Sequence, residues 1–91
     1  MKKRFIIDGN KFSDLNGFYD EVQKVLTDNF EGFGRNLDAF NDILRGGFGK
    51  FDDENITIVW KHSKKSKREL KNFDTMVEII ESHKEIELVL D

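Results

Sequence analysis

Three short apolar runs divide this chain, and what lies between them leaves few topologies open. The runs are Arg4-Phe5-Ile6-Ile7-Asp8, Ile56-Thr57-Ile58-Val59-Trp60 and Ile86-Glu87-Leu88-Val89-Leu90. Each has strand length and is built from β-branched, aromatic or other bulky apolar residues. The segments between them carry helical periodicity. Leu15, Phe18, Tyr19, Val22, Val25 and Leu26 form one stripe; Phe73, Met76, Val77 and Ile80 form another, with Ile79 at its edge. Strands joined through helices cannot close as hairpins, so they pair in parallel through right-handed crossovers. The expected fold class is α/β: a single small layer domain over residues 1–91, with a three-stranded parallel sheet packed with helices. The first run reads as a strand buried on both faces and stopped by Gly9-Asn10. Ser13 reads as the cap of the first helix, with Asp14 in its first turn. Gly17 costs that helix about 1 kcal/mol of propensity, either for close packing or simply tolerated.

A chain of 91 residues has room for one core. Nine Phe, with Trp60 and Tyr19, supply its bulk; the absence of cysteine excludes disulfides and thiolate metal sites. No apolar run reaches membrane-spanning length, and the apolar part of Met1–Asp8 is too short for a signal-peptide core. These features read as a cytoplasmic protein with no membrane partner, a monomer when free. His62 and His83 lack any ligand spacing, so neither metal nor cofactor is expected.

The net charge of −3 conceals three blocks. Residues 28–54 hold seven acids against three bases, residues 61–71 six bases against one acid, and residues 74–91 six acids against one base. The first block steers basic partners toward itself and repels nucleic acid. The basic block, Lys61 to Lys71, tempts a nucleic-acid reading. It has no interleaved aromatic besides His62, which favours a solvated loop or short helix anchored by Leu70.

Within the acidic block, Gly32-Phe33-Gly34 leads into a two-faced helix. Asn36 is a good N-cap. Leu37, Ala39, Phe40, Ile43 and Leu44 fall on one side; Arg35, Asp38, Asn41, Asp42 and Arg45 fall on the other. Asp38 and Asp42 are four apart, where like charges repel by a few tenths of a kcal/mol. A partner could relieve that repulsion. On spacing alone the commoner reading is a solvated face, with Arg45 paired to Asp42 and the helix dipole favouring Asp38. Phe33 either belongs to a binding loop or staples the helix start. The following Gly46-Gly47-Phe48-Gly49-Lys50-Phe51-Asp52-Asp53-Glu54-Asn55 reads as loop, its Gly46 suited to a helix C′ position. No Gly-Lys-Ser/Thr follows, so it is not a phosphate cradle. With no nucleophile–base pair and no metal cluster, binding is the stronger class than catalysis, and the chain is read as no enzyme.

The run Phe33-Gly34-Arg35-Asn36-Leu37-Asp38-Ala39-Phe40-Asn41-Asp42 resembles the signature of the barstar family of intracellular ribonuclease inhibitors. That signature is an aromatic, Gly, a variable residue, Asn-Leu-Asp-Ala, a variable pair and Asp. The resemblance extends over most of the chain in its order of strands and helices, including Trp60 at a strand end, where a structural role is expected. It implies that the loop and helix plug the active site of a basic ribonuclease, barnase-type or a related toxin nuclease. The acidic residues would lie where RNA phosphates bind, an immunity role with no direct contact to nucleic acid.

The partner-binding residues so implied are Phe33, Gly34, Arg35, Asn36, Asp38, Asn41, Asp42 and Arg45. Gly34, Asn36, Asp38 and Asp42 match motif positions. Asp42 would contribute most, among the enzyme's phosphate-binding Arg and His side chains. Asp38 would meet the same cationic site near the base-recognition side, and Asn36 would shape the loop as a cap. Arg35 stands where the family's prototype is acidic, Asn41 replaces an aromatic, and Gly32 replaces a tyrosine. An acidic contact from the last helix falls near Ser82, beside Glu81, and is left unassigned. These departures point to a different cognate enzyme. The alternative is a barstar-like interaction module for another basic protein, with no nuclease inhibited. An RNA-binding module on residues 61–71, and a metal-dependent enzyme on Asp38, Asp42 and Asp52-Asp53-Glu54, are the further rivals.

Overall fold

The computed structural model describes residues 3–27, 34–45 and 56–91. The expectations for Phe33, for the rest of 28–33 and for the 46–55 loop lie outside these described residues. In chain order the elements are β1 (Lys3–Asp8), a 3-10 turn (Gly9–Lys11), α1 (Leu15–Leu26), α2 (Leu37–Leu44), β2 (Ile56–Lys61), α3 (Ser63–Glu69), α4 (Phe73–Glu81) and β3 (Ile86–Leu90). The sheet is parallel throughout, in the order β1-β2-β3. Ile7 pairs in register with Trp60, and Trp60 with Leu90. The fold is thus the α/β layer that the alternation of runs and stripes predicts.

The expectation for the first strand fails. β1 is not buried on both faces: Ile6 is 45% exposed while Ile7 is 0% exposed. The reason is its place in the sheet. Phe5, Ile7, Ile56, Ile58, Trp60, Ile86 and Leu88 belong to the core cluster that the helices complete. Ile6, Val59 and Val89 point to the other side and do not. β1 and β3 are edge strands, so only the central β2 is buried along nearly its whole length. An apolar run in an edge strand of a one-sided layer looks the same in sequence as one in a two-sided sheet.

Trp60 is the pivot of the core, as its structural reading expects. It is fully buried, stacks on Phe18 at 5.2 Å between ring centroids, and meets Phe73 edge-on at 5.0 Å. Its indole Nε1 donates to Ser66 Oγ at 3.0 Å, which satisfies the one polar atom this ring buries. Phe18 also meets Phe40 edge-on at 5.3 Å, so α2 is joined through α1 to the centre of the sheet.

Two glycines are dictated by contact. A Cβ on Gly9 would stand 2.6 Å from Lys61 O and 2.8 Å from His62 O, both backbone atoms. One on Gly17 would stand 2.7 Å from Phe12 Cβ, which decides for close packing over tolerance. Asp14, not Ser13, caps α1: its carboxylate accepts from Gly17 N at 2.8 Å. Both residues are capping types, and the difference is one position. The basic segment forms α3, a short helix followed by the buried Leu70.

Candidate functional site

The site is built on α2, an eight-residue helix too short to hold itself. Its start is fixed by Asn36. Asn36 Oδ1 accepts from Ala39 N at 2.8 Å, and its Nδ2 donates to Gly34 O at 3.2 Å. Phe40, Ile43 and Leu44 enter the core. Leu37 does not: as the first helical residue it is 36% exposed, against the expectation that it joins the apolar side. It stands next to Asp38 as an apolar patch on an acidic surface.

Arg35 secures the approach to α2. Its backbone is left-handed, with φ 53°. Its guanidinium turns onto α1, donating from Nη1 to Gln23 Oε1 at 3.1 Å and from Nη2 to Asn16 O at 2.9 Å and Asn16 Oδ1 at 2.7 Å. The same Nη2 pairs with Asp20 at 2.8 Å. Beneath it, burial pushes the Tyr19 hydroxyl up from its ordinary pKa, and the charge of Arg35 opposes that shift.

Asn41 is held from the other end. His83 Nε2 donates to Asn41 Oδ1 at 2.7 Å, joining α2 to the turn between α4 and β3. Arg35 and Asn41, sequence candidates for partner contact, thus have their side chains on neighbouring elements of this chain. Asn16, Asp20, Gln23 and His83 are the supporting residues that sequence reasoning missed. They lie 12 to 42 residues away from the groups they hold, and no local pattern carries such pairings.

Asp38 and Asp42 are exposed on the outward side of this helix. Asp38 makes no hydrogen bond or ion pair with any described residue, and its place in the first turn favours its charge. Among the described residues Asp42 has one loose partner, Arg45 Nη1 at 3.7 Å, with both side chains more than 60% exposed. A pair that open is worth little. Gly34 is exposed beside them, and a Cβ there would come within 3.3 Å of Ala39 Cβ. Among the described residues, no three His, Cys, Asp or Glu side chains are placed to hold a metal ion. No helix among them is long and apolar enough to cross a membrane.

A small one-sided α/β layer that presents a capped, braced acidic helix is the class these features define. The family model described as Barstar (barnase inhibitor) matches residues 2–87. The chain belongs to the barstar family, a family of inhibitors. A search of the curated proteins finds no match.

Proposed function

We propose that this protein is an intracellular inhibitor of a basic microbial ribonuclease, barnase-type or a related toxin nuclease, and that α2 is the element it inserts. Asp38 and Asp42 take the positions of RNA phosphates and receive charge-assisted hydrogen bonds from the enzyme's cationic groups. Leu37, Gly34 and Arg45 border that contact. Arg35, Asn36 and Asn41 serve it from behind by fixing the helix.

The observation that carries this reading is the contrast on one short helix. Its N-cap and flanking polar side chains are satisfied within the chain, while its two carboxylates have, among the described residues, one loose partner between them. Groups held rigid and left unsatisfied lose little freedom when a partner meets them. The family description, barnase inhibitor, supplies the class of partner.

The test is inhibition of RNA cleavage across a panel of basic microbial ribonucleases. The expected outcome is stoichiometric inhibition of at least one, weakening as salt rises because exposed charges are screened. Binding to a basic protein with no effect on any nuclease would replace this reading by the interaction-module alternative.

A further inference from the structure

The second concentration of charge in the molecule is concave. The three parallel strands run to a common edge at Asp8, Lys61 and Leu90. A cleft of about 470 Å³ opens there, lined by Lys61, His62, Lys64, Lys65, Arg68 and Asp91.

The local sequence explains the shape. Lys61 ends β2, and His62 takes a left-handed conformation, φ 56°, that reverses the chain into α3. Ser63 then donates from both its N, at 2.9 Å, and its Oγ, at 3.0 Å, to Asp91 O. Asp91 N in turn donates to Trp60 O at 3.0 Å. The end of β3 and the start of α3 are therefore tied together as two walls. Ser63 and Ser66 face inward and are buried, which turns Lys64, Lys65 and Arg68 to the open side.

These cations are not equivalent. Lys65 is committed to the fold: its Nζ donates to Gly9 O at 3.1 Å and Phe12 O at 2.9 Å, and pairs with Glu69 at 3.0 Å. The side chains of Lys61, Lys64 and Arg68 make no hydrogen bond or ion pair with any described residue, although the charge of Arg68 acts on the neighbouring Glu69 carboxyl. Lys64 and Arg68 lie at i,i+4 on α3, where like charges repel. Only the Asp91 carboxylate opposes them in the lining.

The geometry points to an anion site at this edge that binds a compact, diphosphate-bearing small molecule through Lys61, Lys64 and Arg68. The volume falls in the roughly 300–1,000 Å³ range of small-molecule sites. Lys supplies point charge to phosphate oxygens and Arg a two-pronged donor. An extended single strand needs aromatic platforms for its bases, and the lining offers none beyond the His62 ring. The site is separate from α2 and does not depend on the inhibitor reading.

The test uses the full ¹⁵N-labelled chain titrated with inorganic pyrophosphate at low salt, and with adenosine diphosphate in parallel. Saturable shifts centred on residues 61–68 and Asp91 are expected, with affinity about tenfold weaker in Lys64→Gln/Arg68→Gln. Tighter binding of the nucleotide would identify a nucleoside diphosphate as the source of the phosphates; equal binding would identify the diphosphate group alone. Unchanged amide shifts outside the cleft verify that the variant is folded. A linear drift that sodium chloride reproduces at equal ionic strength, or equal affinity in the variant, overturns the site. Tighter binding of an oligouridine of about ten nucleotides, with shifts spreading to Lys67 and Lys71, overturns the compact ligand.

Discussion

Helices α2 and α3 are both short, both strongly charged and opposite in sign, yet the fold treats their charges differently. On α3 one cation, Lys65, is drawn into the structure by two carbonyls and Glu69, while Lys64 and Arg68 stay exposed. On α2 the helix is fixed by groups beside the acids, and Asp38 and Asp42 themselves are left outward. The comparison teaches that a block of charge in sequence is only a candidate. What makes it a surface for a partner is whether its own chain already satisfies it.

The largest expected effect lies under α3. Gly9→Ala drives a methyl into Lys61 O and His62 O, and should destabilise the protein by about 3 kcal/mol in denaturant unfolding. If the two helices are held independently, nuclease inhibition per folded molecule stays unchanged. Loss of both together would break the comparison.

Arg35→Ala comes next. It removes the bonds from α2 to α1, for a loss of about 1–2 kcal/mol after allowance for an arginine that is 31% exposed. Hydrogen exchange should quicken along α2 more than along α3. Uniform quickening would mean that Arg35 stabilises the whole fold rather than bracing one helix. Asn36→Ala sharpens the same point at about 1 kcal/mol, the ordinary value of an N-cap, with its effect confined to the first turn of α2.

The smallest effect is on α3. The hydrogen bond from Lys65 to Glu69 holds that carboxyl below its usual 4.5. The folded state therefore binds its proton less readily than the unfolded state. The contribution of Glu69 is fully present above the unfolded value and is lost as pH falls through the folded one. The stability difference between wild type and Glu69→Gln should shrink over that acid window and be flat from pH 6 to 8. A difference that grows with acidity would contradict the pairing.

Much of this was legible in sequence because it is local. The Asn36 cap, the α1 and α4 stripes and the three strand runs depend on residues within one or two turns of each other. Asp14 took the capping position expected of Ser13 because its carboxylate, one residue later, reaches Gly17 N. Leu37 and Ile6 depart from the sides their spacing assigns. Periodicity assigns a side to a residue but not how far that side is covered: Ile6 is 45% and Leu37 36% exposed. The bracing of α2 could not be read at all, since Arg35 to Asn16 and Asn41 to His83 are tertiary pairings. The anchoring of the Arg35 and Asn41 side chains on neighbouring elements is visible only in these contacts.

The central claim is that Asp42 is left open for a cationic partner. Its most direct test is calorimetric titration of an inhibited ribonuclease with wild type and with Asp42→Ala, at low and high salt. The variant is expected to keep its unfolding midpoint but to bind about 30-fold more weakly or worse at low salt, which corresponds to about 2 kcal/mol for a lost charge-assisted bond. The gap should narrow as salt rises. Equal affinity of the two proteins would show that the acidic helix is not the contact.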